Sequence, residues 1–474
     1  MDAPAPAAVP AAPGDRLPDG FAVRLDPRVR RRDGGATLLG GSPLRLLRLA
    51  PRARALLAGD RLLVRDATTA SLAASLLDAG LAHPDLAPAT GAADVTVVVP
   101  VKDRPAELAR LLAALRGDPV TAGLPVVVVD DGSASPVRAD DAVVVRHGTS
   151  RGPAAARNAG LRAAGTPVVA FLDSDCVPRP GWLAVLRPHL ADPRLAAVAP
   201  RIVGLPGRGW LHEHEAVAGA LDMGAHPAPV RPLSAVSYVP SAALLCRRSA
   251  LGTGFDEALR VAEDVDLVWR LAAAGWRVRL DPAAEVAHQH PTRMPEWVRR
   301  RAFYGTGAAL LAQRHGPLVS PLVVAPELVA AAALTVAGGR AGRAAALGVL
   351  ATRAARLSRR LARPGERPPV GLAILLTARS SGAAVRALSR AVTRHHWPLA
   401  VAAALVSRRA RRGLLALAVA EGLLAWLPSR HRGGPLRHLA ARRLDDLAYG
   451  AGLWAGAVRA RSARALLPTR PPPE

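Results

Sequence analysis

The sequence predicts an α/β chain whose centre alternates strand and helix in a Rossmann-like way, with a small α+β module before it and a helical region after it. Three observations carry this prediction. Short β-branched runs alternate with amphipathic stretches from Asp94 onward, acidic residues recur directly after those runs, and the last third is Ala/Leu/Arg-rich with almost no strand pattern. A length of 474 residues leaves room for roughly two to four domains.

Residues 1–16 contain four prolines and no basic start, so they read as a disordered leader rather than a signal peptide. Residues 17–90 form the small module. Apolar runs at Phe21–Leu25 and Thr37–Leu39 flank the turn residues Asp33, Gly34 and Gly35. Two helical stretches are expected next, one carrying Leu44, Leu47, Leu56 and Leu57, the other Leu72, Leu76, Leu77 and Leu81. His83–Ala93, with Pro84, Pro88 and Gly91, reads as a linker.

The central domain is expected over residues 94–305. Val95–Val99, followed by Pro100, reads as a buried strand. A helix over Arg104–Leu115 places Pro105 in its first turn and Leu108, Leu111, Leu112 and Leu115 on one face. Strands at Val126–Val129, Val143–Val145 and Val168–Leu172 and a helix at Pro153–Ala164 continue the alternation, for which parallel strands with crossover helices are the simplest arrangement.

Residues 306–474 are expected to be helical. The apolar segments Leu318–Ala337, Val370–Ala378, Pro398–Val406 and Gly413–Leu427 are mostly shorter than the ~20 residues of a membrane span or broken by Arg. Leu318–Ala337 approaches that length but holds Pro321, Pro326 and Glu327. A helical region lying on a membrane surface is therefore favoured over a span or a soluble bundle.

The formal charge is +26 and Lys102 is the sole lysine. The arginines are dispersed and lack interleaved aromatics, only 3% of residues being aromatic, which argues against a nucleic-acid partner. The scarcity of Lys beside abundant Ala, Arg, Gly and Pro fits a GC-rich coding sequence. Cys176 and Cys246 have neither disulfide-framework nor zinc spacing, so a reducing, cytoplasmic location is expected, with the inner face of the cell membrane as the surface available to the basic C-terminal part.

Ligands of open α/β sheets bind beyond the carboxyl ends of the strands. Those ends carry Pro100, Lys102 and Asp103 after the first strand, Asp130 and Asp131 after the second, and Asp173-Ser174-Asp175 after Val168–Leu172. Carboxylates two positions apart at a strand end reach one hard cation, and Mg²⁺ or Mn²⁺ bound in this way keeps positions for phosphate oxygens. By itself Asp130-Asp131-Gly132-Ser133 reads as a turn. Gly152–Asn158 opens a helix with small residues that admit a diphosphate or ribose, and Arg157 offers a guanidinium to phosphate. Glu263 and Asp264 stand in the first turn of another helix, where the dipole alone favours acids. His288 and His290 follow an expected short strand. The G-x-G-x-x-G fingerprint is missing from the first strand-to-helix turn, as is a Gly-rich loop ending in Gly-Lys-Ser/Thr.

In order, Val-Val-Val-Pro-Val-Lys-Asp-Arg-Pro, Val-Asp-Asp-Gly-Ser, Arg-Gly-Pro-Ala-Ala-Ala-Arg-Asn-Ala-Gly, Phe-Leu-Asp-Ser-Asp and Phe-Asp-Glu…Glu-Asp-Val-Asp-Leu-Val-Trp-Arg-Leu resemble the motif series of the family 2 glycosyltransferases. The resemblance implies a glycosyltransferase A-type fold, a nucleotide-sugar donor, Asp131 or its neighbour on uridine, Asp173 and Asp175 as the metal and ribose site, and Asp264 as the base. Pro100, Lys102, Asp103, Asp130 and Arg157 join the donor set by the same likeness, and Glu263, His288, His290 and Arg300 are further candidates for donor or acceptor contact. The Q-x-x-R-W motif of processive members is missing; Trp297–Arg301 stands in its region.

The flanks, with Leu17–Pro27 and Leu38–Pro43, resemble more narrowly the mycofactocin-system glycosyltransferases of actinobacteria. That likeness implies β-1,4-linked glucose from UDP-glucose added to a peptide-derived redox cofactor. The N-terminal layout is similar to small peptide-binding domains, so the module is expected to hold the acceptor and to be removable without loss of donor hydrolysis. A membrane-bound enzyme of the cell envelope with a lipid-linked acceptor is the alternative, and a non-catalytic nucleotide-sugar-binding scaffold the third.

Overall fold

The computed structural model describes residues 8–57, 59–362, 367–432 and 434–470. They pack as two compact units divided between Thr292 and Arg293. The helix Met294–His315 runs through position 305, where the sequence placed the end of the central domain.

The first unit opens with the small module: β1 (Ala22–Leu25), β2 (Arg30–Arg32), β3 (Thr37–Gly40), β4 (Arg45–Arg48), α1 (Pro51–Leu56), β5 (Arg61–Leu63), α2 (Ala67–Asp78) and β6 (Ala82–Pro84). β2, β3 and β4 form an antiparallel meander, and β1 pairs with β5 on one side and β6 on the other. Two local expectations are corrected here. Leu47 lies in β4 and Leu44 in the turn before it, not on a helix, because this stretch pairs with Thr37–Gly40. The start of the expected linker is strand β6, and its His83 is buried. α2 forms as the Leu72/Leu76/Leu77 spacing predicts; Asp66 caps it by accepting from Thr69 N at 2.8 Å, and Leu76, Leu77 and Leu81 enter the module's core.

The remainder of the unit is β7 (Val95–Val101), α3 (Pro105–Gly117), β8 (Val126–Asp130), β9 (Val143–Arg146), α4 (Pro153–Ala163), β10 (Val168–Leu172), β11 (Cys176–Pro178), α5 (Trp182–Leu186), β12 (Leu195–Gly204), α6 (Trp210–Ala218), β13 (Ala228–Pro229), β14 (Ala243–Arg247), α7 (Glu263–Ala273) and β15 (Arg277–His288). The sheet runs β11-β15-β12-β14-β10-β7-β8-β9, with β13 beside β15. β10, β7, β8 and β9 are parallel as expected. β14 is antiparallel to both β10 and β12, so the sheet as a whole is mixed. The β-branched runs of β7, β8 and β10 are buried on both faces, which is why they read as unbroken apolar stretches, whereas edge strand β9 leaves Val143 and Val144 exposed. At Gly160 a Cβ would meet Val98 Cγ1 at 2.2 Å; only glycine lets α4 lie this close to the sheet.

The module is docked on this sheet through buried charge. Arg277 donates from Nε to Asp78 at 2.9 Å and from Nη1 to Asp192 at 2.9 Å. Arg279 donates to His83 Nδ1 at 2.8 Å, and since a guanidinium only donates, His83 must carry its proton on Nε2, which faces Asp26 at 2.9 Å. Burial, reinforced by Arg279, pulls the His83 pKa down to about 4, so the ring is neutral there. Residues 8–12 also lie against the sheet unit: Trp276 Nε1 donates to Pro10 O at 2.7 Å and Ala12 N to Ala274 O at 3.0 Å. This part of the expected disordered leader is an ordered strap, and positions 1–7 fall outside the described residues.

The second unit is helical: α8 (Met294–His315), α9 (Pro326–Ala337), α10 (Gly339–Leu361), α11 (Val370–Arg390), α12 (Trp397–Val406), α13 (Arg408–Trp426) and α14 (Pro435–Arg459). α8 and α14 pack backbone to backbone, where a Cβ on Gly452 would meet Ala302 O at 1.8 Å.

Candidate active site

The rim at the carboxyl ends of β7, β8 and β10 gathers the acidic motifs. Asp173 follows β10, and its backbone N–H donates to Ala242 O at 2.9 Å, tying it to the start of β14. Its carboxylate receives Arg157 Nη2 at 2.6 Å; the other arm of the same guanidinium, Nη1, donates to Glu263 Oε1 at 2.8 Å. Arg157 thus joins the Asp173–Asp175 turn to the head of α7. It is buried, with Phe255 beneath it at 5.5 Å from ring centroid to Cζ. Burial works against its charge, but the carboxylates of Asp173 and Glu263 more than compensate and raise its pKa. In this state Arg157 faces carboxylates rather than an open phosphate position.

Asp175 is buried, paired with Arg104, and 3.5 Å from His288 Nε2. His288 closes β15, whose pairing with β11 brings it opposite Cys176. Asp173, Asp175 and His288 are accordingly among the described residues at this rim with oxygen and imidazole ligands to offer. Among the described residues no group of three or more His, Cys, Asp or Glu closes around an ion position. His290 lies 5.4 Å from His288 between ring centroids and 3.3 Å from Glu215 on α6. Arg300 lies on α8, in the second unit.

Asp264 stands at the head of α7 beside Glu263. Its carboxylate accepts from Val265 N at 2.8 Å and from Ser241 N at 3.3 Å. Burial, with repulsion from Glu263, outweighs the attraction of Arg157 and pushes its pKa up to about 7. A carboxyl group poised there is suited to take a proton near neutral pH.

The Asp-Asp-Gly-Ser turn has a different use. Asp130 is fully buried and accepts from Ser133 N at 2.9 Å, from Val137 N at 3.1 Å and from Arg146. Asp131 accepts from Arg151 N, Gly152 N and Ser150 Oγ, each at 2.8 Å, and contacts His147 Nδ1 at 2.8 Å. Burial would raise the Asp131 pKa, but these partners outweigh it and lower the value. Asp130 fixes the turn after β8 and ties it to β9, and Asp131 fixes the loop that leads into α4. Gly132 has φ +72°, and a Cβ there would meet Ser150 N at 2.6 Å, so the turn requires glycine. Lys102 and Asp103 are exposed at the end of β7; Asp103 accepts from Ala134 N at 2.8 Å and donates from its own N–H to Ser133 Oγ at 2.9 Å. Pro100 lies within β7.

Sequence reasoning passed over several residues in this network. Asn158 clamps the Phe255 loop with a pair of 2.8 Å bonds to Phe255 N and O. Arg104, Ser241 and Glu215 each touch a motif residue, but only Arg104 itself lies within a recognisable motif. A separate cleft lined by Asp94, Arg162, Arg187, Arg247 and Arg248 opens at the opposite end of β10 and contains none of the acidic rim residues.

The sequence model of glycosyl transferase family 2 matches residues 96–251, which carry most of this acidic-rimmed α/β sheet. The chain is 49% identical over 470 residues, covering 96% of it and 98% of the relative, to Pre-mycofactocin glycosyltransferase of Mycobacterium tuberculosis. It belongs to the family 2 glycosyltransferases and, within them, to the family of that relative. It is also 32% identical over 213 residues to Succinoglycan biosynthesis protein ExoU of Rhizobium meliloti, covering 40% of this chain and 59% of that one. Among solved structures it is similar to S. aureus TarS 1–349, at 22% identity and TM-score 0.33 over 46% of this chain and 69% of that one. It is similar too to the mannosyltransferase PcManGT from Pyrobaculum calidifontis in complex with GDP-Man and Mn²⁺, at 24% identity and TM-score 0.38 over 64% and 90%.

Proposed function

We propose that this enzyme transfers glucose from UDP-glucose, with inversion, to the peptide-derived precursor of mycofactocin. The observation that carries the reading is the convergence of Asp173 and Glu263-Asp264 on the single buried cation Arg157, which puts a candidate diphosphate end and a candidate base in one pocket of charge. The named relative, matched over nearly its whole length, supports the choice of acceptor.

Asp173 and Asp175 fit a Mg²⁺ or Mn²⁺ ion: they are hard oxygen donors two positions apart on a strand end, too few to enclose the ion, so diphosphate oxygens would complete its shell. Such an ion supplies Lewis-acid stabilisation of the departing diphosphate. The chain's own residues do the rest. Asp264 takes the proton of the acceptor hydroxyl, whose oxygen attacks the anomeric carbon as the bond to UDP breaks, and one displacement inverts that carbon. Arg157 holds the two acidic motifs in register, and Asp131 holds the loop that carries Arg157.

The test is transfer from UDP-glucose to the peptide-derived acceptor with Mn²⁺, compared with Asp175→Asn. The amide keeps the side chain's shape and removes its charge, so metal-dependent turnover should fall by at least about a hundredfold while the melting temperature stays near that of the parent. Unchanged turnover would remove Asp175 from the metal site. A second reading, transfer to a lipid-linked acceptor, draws on the exposed apolar helices of the C-terminal unit; glucose appearing in the lipid phase and not on the peptide-derived acceptor would establish it instead.

A further inference from the structure

We infer that α12 and α13 dock the enzyme on the surface of an anionic phospholipid bilayer, with α13 lying in the plane of the interface. A surface helix of a soluble protein turns its apolar stripe inward and its charges outward. α13 does the reverse. Leu415, Val419 and Leu423, four apart in turn, share one exposed stripe, and Leu424 beside it is exposed as well. The charged residue in that stretch, Glu421, faces inward, where Arg442 Nε donates to it at 2.9 Å and Arg443 pairs with it as well. Gly422 is buried, and a Cβ there would meet Leu439 Cδ1 at 2.1 Å, so the helix is seated on α14 at this turn.

The neighbouring helix extends the apolar surface. In α12 the sole buried residue is Ala404, while Leu399, Leu405 and Val406 are exposed. Only 6% of the most apolar window of Arg408–Arg430 is buried, whereas a core helix of similar composition would be mostly covered. Water is a poor solvent for so continuous a stripe.

Charge selects the occupant. Arg408, Arg409, Arg411 and Arg412 open α13, are exposed, and form no ion pair among the described residues. A bilayer bearing anionic headgroups matches four unpaired guanidiniums beside an apolar stripe, whereas a second copy of this chain would bring the same positive cluster face to face. These arginines also decide between lying and spanning. They occupy the first turn and a half, and the apolar run that follows carries Glu421, ion-paired with Arg442 and Arg443, near its middle, a charged group that is costly at the centre of a bilayer.

The experiment is co-sedimentation of the full chain with vesicles of phosphatidylcholine alone or with about one third phosphatidylglycerol, with donor hydrolysis measured on every variant. The parent should pellet with the anionic vesicles and be released by carbonate washing. The pair V419Q and L423Q alters exposed positions only and should abolish pelleting while leaving hydrolysis intact. The set R408Q, R409Q, R411Q and R412Q should weaken it by roughly several hundredfold, about fivefold per charge. Failure of the parent to pellet, equal binding to uncharged vesicles, retention after carbonate, or a dimer that both variant sets dissociate would each overturn the inference.

Discussion

Asp264→Asn is expected to lower glucosyl transfer by a factor on the order of 10²–10⁴ while UDP binding stays near normal, because the amide cannot accept the acceptor's proton yet fills the same space. The environment of Asp264 gives this variant two further signatures. The parent's kcat/KM should rise with pH through about 7, as the carboxyl group ionises, and the Asn variant should lose that limb. The stability effect has the opposite sign. Between the ordinary carboxylate range and about 7 the folded chain keeps a proton that the unfolded chain has released, so folding is weakened as pH rises through that window. Asp264→Asn removes the penalty, and its melting temperature should exceed the parent's at pH 8 and match it at pH 4. A parallel loss of UDP binding in the Asn variant would show that Asp264 shapes the helix start rather than acting as base.

Deletion of residues 1–90 is expected to lower the melting temperature of the sheet unit by on the order of 10 °C and to reduce donor hydrolysis with it. The sequence alone leads to the contrary expectation, a separable acceptor-holding module. The docked interface changes the outcome. Without the module Arg277 loses Asp78 and Arg279 loses His83, and the face of β15 that the module covers opens to water. Asp78→Asn is the milder form and should lie between parent and truncation. A truncated protein that melts like the parent and hydrolyses donor normally, yet fails on the peptide-derived acceptor, would restore the acceptor-holding role.

Local pattern made much of the catalytic half legible. Val168–Leu172 could be read as a strand because it is buried on both faces and therefore apolar throughout, and the carboxylates that follow mark the rim for the same reason. β4 was not legible: Leu44 and Leu47 are three apart, a step that fits a helix face, and only pairing with Thr37–Gly40 makes this stretch a strand. The antiparallel insertion of β14 depends on a partner more than 70 residues away and leaves no periodic trace. The site divides in the same way. Types and positions of acidic residues could be read directly, whereas Arg157 as a bridge and Asp130 and Asp131 as loop anchors depend on donors that only the fold brings near.

The polar character of the module's docking face also bears on synthesis. His83 and its partner Arg279 are 196 residues apart, so at ribosomal rates of about 5–20 residues per second the module emerges roughly 10–40 s before the strand that receives it. An apolar face of that size would be a liability during such an interval, open to capture by other nascent chains. Asp78 and His83 instead present groups that water solvates well, and they meet Arg277 and Arg279 of β15 only when that strand arrives. The final strand of the sheet thereby acts as a latch, closing on a partner that has waited in solution.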